Sequence, residues 1–232
     1  MNATKILAGL FASAAVTVGL PTFAAMITDT ASFQMDVGIR DNDLNGVADT
    51  GTFHSRISAI TDVQVTLNVA GGYNGDLYVY LTHGSGFAVL LNRVGSSSSN
   101  PFGYSDSGFD VIFMAGAVNG DIHNYQSSLD PLGGSLTGIW QPDGRNAFPA
   151  DALGIATRSA LLDSFNGLDA SGDWTLYLAD ASPVGTSTLR GWGLSVTGTP
   201  VPEPSTILAG ALLLLPFGAG VVRTMRRRGV RP

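Results

Sequence analysis

The sequence predicts an all-β fold for the central part of the chain, an antiparallel jelly-roll-like β-sandwich. Short segments in which apolar and polar residues alternate recur along it, and a period of two is typical of strands with one buried face. The 30 glycines among 232 residues supply tight turns, and no long stretch has helical spacing. We expect an N-terminal signal peptide and one C-terminal transmembrane helix to flank this sandwich.

The first 25 residues have the composition of a secretory signal peptide. A single lysine, Lys5, precedes an apolar run from Ile6 to Leu20, and small residues follow at Thr22 to Ala25. We therefore expect residues 1–25 to be removed by the signal peptidase of the export machinery. An uncleaved N-terminal membrane anchor is the alternative.

Residues 26–199 are expected to form one sandwich domain with its own core. Alternation is clearest at Asp62–Val69, where four apolar residues share one face, and it returns at Trp174–Ala179 and Leu189–Thr197. Gly116–Trp140 is predicted to be rich in loops, and Ala150–Leu162 has only weak helical spacing. The other predicted strands are Phe33–Ile39, Asp76–Leu81, Phe87–Val94 and Phe109–Met114.

Charge is distributed unevenly along the chain. Residues 26–199 carry six arginines against seventeen aspartates, and the only glutamate is Glu203. An acidic exported part argues against binding to nucleic acid or to an anionic membrane surface. The chain has no cysteine, which excludes disulfides, cysteine-ligated metal sites and cysteine nucleophiles.

Aspartates supply the hard oxygen ligands that calcium prefers. Asp41–Asp49 has oxygen ligands at positions one, three, five and nine of a loop, with Gly46 at position six. Thr52 stands where an EF-hand needs a bidentate glutamate, so the open interpretations are a helix-free calcium loop and a solvated turn. Turn capping is the alternative role for the remaining aspartates. The candidate calcium ligands are Asp41, Asp43, Asn45, Asp49, Asp76, Asp110, Asp173 and Asp180.

No motif in the sequence indicates a reaction, and we predict no catalytic residues. A Gly-x-Ser-x-Gly elbow is absent, and none of the three histidines stands at a paired ligand spacing. His83 and His123 occur in glycine-rich turns, where solvated histidine is the expectation. Aromatic residues in turns are candidates for stacking on sugar rings, with ordinary loop aromatics as the alternative: Tyr73, Tyr104, Tyr125 and Trp140.

The last segment combines three features in a fixed order. Residues 200–206 contain Val201, Pro202, Glu203, Pro204, Ser205 and Thr206; the uncharged run 207–222 follows; residues 223–232 include Arg226, Arg227 and Arg228. Two prolines keep the first part extended, the run approaches the length of a transmembrane helix, and the arginines mark a cytoplasmic end.

This tail resembles the PEP-CTERM sorting signal of exported bacterial proteins. The resemblance implies recognition of the Pro-Glu-Pro box by an exosortase, a membrane-embedded cysteine enzyme. It also implies a Gram-negative bacterium, often one that makes extracellular polysaccharide or biofilm. The protein would be held in the inner membrane facing the periplasm, and then pass to the cell surface or extracellular matrix. A plain C-terminal anchor is the alternative.

A second set of motifs is spread in order along residues 26–199. These motifs are Asp41–Asp43 with Gly46–Val47, Asp62–Val65, Gly75–Leu77, Phe109–Asp110, Pro142–Asp143, Phe165–Gly167, Gly172–Asp180 and Thr188–Gly198. With them the domain resembles the P domain (P/Homo B) that follows the catalytic domain of subtilisin-type proprotein convertases. The resemblance implies a jelly-roll sandwich that often binds calcium. The sequence departs from the family at Gly71, where a histidine is usual, at the turn Thr82–Gly86, and over 116–138.

Together these features predict an exported, exosortase-sorted surface or matrix protein. Its non-catalytic sandwich would act as a structural or binding module. Three alternatives remain open: a carbohydrate-binding module of a polysaccharide matrix, an accessory domain that works with a secreted subtilisin-type protease, and a hydrolase.

Overall fold

A computed structural model describes residues 25–151 and 154–201. Residues 1–24 of the predicted signal peptide, the sorting box beyond Val201, the apolar run and the basic tail lie outside the described residues. Within the described ranges, no helix is long and apolar enough to cross a membrane.

The described part of the chain consists of β-strands joined by loops and short 3-10 helices, which confirms the all-β prediction. The 3-10 helices span Asn74–Asp76, Ile122–Ser127, Pro149–Asp151 and Leu162–Phe165. The strands are β1 (Ile27–Ile39), β2 (Asp43–Phe53), β3 (Ile57–Gly71), β4 (Leu77–His83), β5 (Gly86–Asn92), β6 (Phe109–Phe113), β7 (Leu136–Trp140), β8 (Gly172–Asp180) and β9 (Ser187–Pro200).

The strands form two sheets. The first has five strands in the order β1-β9-β3-β6-β7, and the second has four in the order β2-β8-β4-β5. Adjacent strands are antiparallel in every pair except β6 and β7, which run parallel. A parallel pair needs a long crossover connection, and here it runs from Phe113 to Leu136 through the helix Ile122–Ser127.

The core forms because each sheet has one apolar face. Val63, Val65, Leu67 and Val69 of β3 are all buried, as the alternation predicts, and the polar residues between them are more exposed. On β8, Trp174 is likewise fully buried. Each such side chain contributes about 1.5–3 kcal/mol relative to leaving it in water, so the alternating pattern accounts for much of the stability of the sandwich.

β1 is longer than predicted, and β2 was not predicted as a strand. β1 begins at Ile27, six residues before the predicted start. The segment Asp41–Asp49, for which a calcium loop and a solvated turn were the open interpretations, becomes a strand at Asp43, where β2 pairs with β8 through Asp43↔Asp180. The register then shifts before Val47, so the residues between form a bulge in which Gly46 takes a positive φ of 55°. Pairing with β8 therefore replaces the predicted loop.

Candidate functional site

Two buried aspartates meet at one end of the four-stranded sheet. Asp76 ends a 3-10 helix directly before β4, and Asp180 is the last residue of β8. Leu77 pairs with Asp180 across the β4–β8 ladder, and the amide of Ala181 donates to the carbonyl of Asp76 at 2.8 Å. The exposed fractions of Asp76 and Asp180 are 3% and 0%. The register of two neighbouring strands thus places two carboxylates side by side in the interior.

Each carboxylate has an oxygen atom with no hydrogen-bond partner among the described residues. These atoms are Oδ2 of Asp76 and Oδ2 of Asp180. The other oxygen of Asp180, Oδ1, accepts from the amide of Ser182 at 3.1 Å. Buried carboxylate oxygens are costly unless they are hydrogen-bonded, paired or coordinated to a metal. The pair is therefore suited to a bound cation or donor.

The electrostatic environment disfavours charge on both groups. Burial raises the pKa of Asp76 to about 7, and the neighbouring charge of Asp180 adds to the effect. Burial also raises the pKa of Asp180. The amides of Ser182 and Asn42 lower the pKa of Asp180, and the guanidinium of Arg93 and then the hydroxyl of Ser182 lower that of Asp76. Arg93 also lowers the pKa of Asp180, but its guanidinium donates to the carbonyls of Gly75 and Pro101, each at 3.1 Å. Within the described ranges, neither aspartate belongs to an ion pair.

Asp41 contributes a third negative charge to this region. Its charge raises the pKa of both Asp76 and Asp180, although its own side chain is exposed and accepts from the amide of Val184 at 3.2 Å. The described residues contain no group of three acidic or histidine side chains arranged to hold a metal ion. A cation between Asp76 and Asp180 would therefore complete its coordination with backbone or hydroxyl oxygens and water.

A cavity of about 220 Å³ opens over Asp76. Tyr73 and Phe102 are the exposed aromatic residues of its wall, with exposed fractions of 43% and 66%. We call this the Asp76 cavity; it is lined by Tyr73, Asp76, Phe102, Gly103, Tyr104, Ser105, Ser182 and Pro183. Its floor is a buried acid and its rim is aromatic, so it offers both an ionic and a stacking contact.

The loop between β5 and β6 positions the aromatic rim. Gly75 donates its amide to the carbonyl of Tyr104 at 2.8 Å, and Tyr104 donates to the carbonyl of Val94 at 3.0 Å. Gly103 has a positive φ of 71°, and a Cβ there would lie 2.4 Å from the Val94 carbonyl oxygen. Only glycine fits this close approach, so the local sequence fixes the rim above the aspartate.

Most of the other candidate calcium ligands have hydrogen-bond partners of their own. Asp43 accepts from the backbone amide and side chain of Asn45, and the backbone bond lowers the pKa of Asp43. Asp49 accepts from the indole of Trp192 at 2.6 Å. Asp173 accepts from the hydroxyl of Thr52 at 2.7 Å, and Asp110 is exposed on β6. Asp43 thus serves a turn, Asp49 a contact between the two sheets and Asp173 a cross-strand contact.

The four predicted sugar-stacking residues divide into two pairs. Tyr73 and Tyr104 line the Asp76 cavity. Tyr125 and Trp140 are fully buried, so the expectation that they stack on a sugar is wrong. The hydroxyl of Tyr125 donates to Asp106 at 2.7 Å, and the indole of Trp140 donates to the Thr137 carbonyl at 2.9 Å. Both side chains are part of the hydrophobic core.

Two histidines expected to be solvated are also buried. His123 has Nδ1 2.7 Å from Oδ2 of Asp143 and Nε2 3.1 Å from the Ser96 carbonyl oxygen. Both ring nitrogens are thus engaged inside the domain, which leaves neither to act as a base toward a nucleophile. His83 is held in a similar way by two backbone carbonyls.

The sequence did not predict five of the residues that line the cavity, nor a second aromatic group. The five are Phe102, Gly103, Ser105, Ser182 and Pro183. The signal available for Phe102 was an aromatic residue inside a turn between Pro101 and Gly103. On the outer face of the four-stranded sheet, Tyr80 stacks on Tyr177 with ring centroids 4.6 Å apart. The spacing of Tyr78 and Tyr80 along one strand indicated that outward face.

Comparison with known proteins gives only weak structural similarity. No protein-family model and no curated protein matches the chain. A chain in the crystal structure of the Aeromonas sobria serine protease and chaperone complex matches with a TM-score of 0.46, 13% identity and 78% coverage of this chain. A structure of the serine protease of Aeromonas sobria matches with a TM-score of 0.43, 16% identity and 75% coverage. This chain spans 28% and 27% of their lengths.

Proposed function

We propose that this protein is an exported, non-catalytic binding module of the cell surface or extracellular matrix, and that the Asp76 cavity is its binding site. The observation that carries the proposal is the pair of buried carboxylates, each with an unpartnered oxygen, of which Asp76 lines the cavity with the aromatic rim. Main-chain hydrogen bonds between β4 and β8, and not ion pairs, hold the two aspartates in place. The site is therefore formed before any ligand binds.

Calcium is the cation that the carboxylate pair fits best. It prefers carboxylate, carbonyl and hydroxyl oxygens, tolerates irregular geometry and keeps water ligands. Asp76 and Asp180 would supply the carboxylate oxygens, and Ser182 lines the same cavity. A bound dication would hold both acids in the charged form that burial disfavours.

The calcium proposal is tested by melting the purified full-length chain in mild detergent with increasing calcium. We expect the melting temperature to rise with calcium, because a ligand that binds only the folded state stabilises it. The Asp76→Asn variant should lose this rise. Asp110→Asn is the matched control, since it makes the same chemical change at an exposed position of β6. A rise that persists in Asp76→Asn would contradict the site.

Carbohydrate is the second ligand that the cavity supports, and the exposed rings of Tyr73 and Phe102 favour it. Sugar rings stack on aromatic faces, while a carboxylate accepts from sugar hydroxyls. We expect binding to a glycan array that is lost in Phe102→Ala. Phe148→Ala is the control, because Phe148 is also exposed but does not line the Asp76 cavity. Equal loss in both variants would argue against a specific sugar site.

We also propose that an exosortase sorts the protein, because residues 200–232 resemble its sorting signal. Replacing Pro202, Glu203 and Pro204 by alanine leaves the apolar run intact, so it separates recognition from anchoring. We expect this variant to stay in the inner membrane and to fail to reach the surface, whereas deletion of 202–232 should release the protein from the membrane. Normal surface delivery of the alanine variant would contradict exosortase recognition.

The two remaining alternative functions predict different experimental results. An accessory role with a secreted subtilisin-type protease requires a stable complex, which co-purification would show. A hydrolase requires turnover of a peptide or glycan panel that disappears when one aspartate or serine is replaced.

A further inference from the structure

Two glycines leave a groove on the outer face of the five-stranded sheet. Gly191 and Gly193 belong to β9, which lies between β1 and β3. Both are buried, whereas the polar residues beside them on the neighbouring strands are exposed. The groove has a volume of about 230 Å³. We call it the Gly191 groove; its polar lining consists of Ser32, Gln34, Thr66, Asn68, Asp110 and Arg190.

The strand register arranges this lining in two rows across the sheet. Residues that are paired in antiparallel strands project from the same face, so each glycine stands between polar side chains of β1 and β3. The first row has a hydroxyl on either side of glycine, and the second has an amide on either side and a carboxylate beyond. The rows are Ser32↔Gly193↔Thr66 and Gln34↔Gly191↔Asn68↔Asp110.

The protein does not use these polar groups itself. Where β9 carries Thr197 in place of glycine, its hydroxyl bonds to that of Thr28 on β1 at 2.7 Å. At the two glycines, β1 and β3 face each other across β9 at twice the strand spacing, or about 9–10 Å, which is too far for a direct hydrogen bond. Within the described ranges, no side-chain hydrogen bond is formed by Ser32, Gln34, Thr66, Asn68 or Asp110.

Close packing of β1 against β9 requires glycine at both positions. A Cβ on Gly191 would lie 2.9 Å from the carbonyl oxygen of Phe33, and a Cβ on Gly193 would lie 2.8 Å from that of Ala31. Glycine inside a strand weakens it and often marks a place where a ligand or another backbone approaches closely. The groove is therefore fixed by the backbone, and its walls can be changed without disturbing its floor.

The shape and polarity of the groove limit what it can bind. An α-helix with its side chains is about 10–12 Å wide, which exceeds the spacing of the polar walls. β9 and β3 are interior strands, so an extended peptide cannot add to them as a further strand. The exposed side chains of the lining are all polar, which disfavours an apolar ligand. A narrow chain that carries many hydroxyl groups meets all three conditions.

We propose that the Gly191 groove binds a neutral polysaccharide chain. Sugar hydroxyls both donate and accept, so they match hydroxyl, amide and carboxylate groups on the two walls. An anionic chain is disfavoured, because residues 26–199 carry six arginines against seventeen aspartates and Arg190 is already paired with Asp36. The groove shares no residue with the Asp76 cavity. The site therefore adds to the proposed binding site and needs no calcium.

Affinity electrophoresis of the full-length chain in mild detergent tests the proposal. Native gels with EDTA contain a mixed-linkage β-glucan, a glucomannan, a galactan or a dextran. Long chains are used because the groove offers hydrogen bonds without an aromatic platform, so a short oligosaccharide should bind it weakly. We expect at least one of these polysaccharides to retard the wild-type protein. Absence of retardation by all of them would overturn the proposal.

The double variant Gln34→Ala/Asn68→Ala tests the walls of the groove. Loss of hydrogen bonds from both walls should weaken binding at least about tenfold, while the melting temperature should hardly change because both side chains are exposed. Asn119→Ala is the matched control, since it removes an exposed amide outside the groove. Equal retardation of the double variant and the wild type would overturn the proposal. So would retardation that is kept in the double variant and lost in Phe102→Ala, which would assign the polysaccharide to the Asp76 cavity.

Discussion

Asp76 and Asp180 are far apart in the sequence and adjacent in the structure, because Leu77 pairs with Asp180 across the β4–β8 ladder. Each keeps one buried carboxylate oxygen without a hydrogen-bond partner among the described residues. Two buried carboxylates that lie side by side are electrostatically unfavourable, and a bound cation would offset this cost.

The pH dependence of stability should reveal the pair in metal-free protein. The folded pKa of Asp76 is about 7, above the unfolded value of 3.8. The protonated form is therefore favoured by folding, and this stabilisation is complete below about pH 4 and lost as the pH rises to about 7. We expect the contribution of Asp76 to the free energy of unfolding to fall over this window. Urea denaturation at successive pH values measures it, and wild-type and Asp76→Asn proteins with parallel pH profiles would contradict the prediction.

Calcium binding should have the opposite dependence on pH from the stability of the metal-free protein. Binding requires the carboxylates to be ionised, so the apparent affinity for calcium should increase as the pH rises through about 7. Titrations at pH 5.5 and pH 8 compare the two states. An affinity that does not change with pH would show that calcium binds away from Asp76.

Neutralising Asp76 should stabilise the metal-free protein at pH 8. Asp76→Asn removes a buried negative charge next to Asp180, and we expect a gain on the order of 1 kcal/mol, or about 2–4 °C in melting temperature. Asp110→Asn, at an exposed position, should change stability by less than about 0.5 kcal/mol. If Asp76→Asn lost as much stability as a large-to-small substitution in the core, the carboxylate would be required for the structure.

Gly103→Ala should disturb the aromatic rim. The residue has a φ of 71°, and a Cβ would lie 2.4 Å from the Val94 carbonyl oxygen. We expect a cost of about 1–3 kcal/mol and weaker ligand binding, because the loop that carries Phe102 must shift. Gly116→Ala is the control, since nothing lies within 4 Å of its added Cβ. Unchanged stability and binding in Gly103→Ala would show that the rim tolerates the shift.

Removing Asp143 should be the most destabilising of these changes. The buried carboxylate lies 2.7 Å from His123 and 3.1 Å from the guanidinium of Arg145. Asp143→Asn removes the buried carboxylate that contacts His123 and one of the two carboxylates paired with Arg145, which keeps Asp121 at 2.9 Å. Loss of one member of a buried pair costs about 3–5 kcal/mol. Asp36→Asn, which breaks an exposed pair with Arg190, should cost less than about 1 kcal/mol. Similar costs for the two variants would contradict the structural role of Asp143.

The sequence pattern predicted the strands better than the site. Alternation identified β3, β8 and β9, because one face of each strand is apolar and the other polar. It missed the start of β1, where the inward residues Asp29 and Ala31 are not strongly apolar. The parallel pairing of β6 with β7 depends on a long connection whose path no local pattern encodes.

The site was only partly predictable for a related reason. Asp76 and Asp180 were both candidates, but their pairing depends on strand order and register, which alternation does not specify. Composition suggested that aromatics in glycine-rich segments are exposed, yet Tyr125 and Trp140 complete the core. His83 was misjudged in the same way, because a turn residue can fold back onto the neighbouring loop.

Calorimetric titration of calcium into the full-length protein at pH 8 tests whether Asp76 and Asp180 hold a calcium ion. We predict one saturable site that is lost in both Asp76→Asn and Asp180→Asn and retained in Asp110→Asn. Absence of calcium binding in the wild-type protein, or binding that survives both substitutions, would contradict the claim.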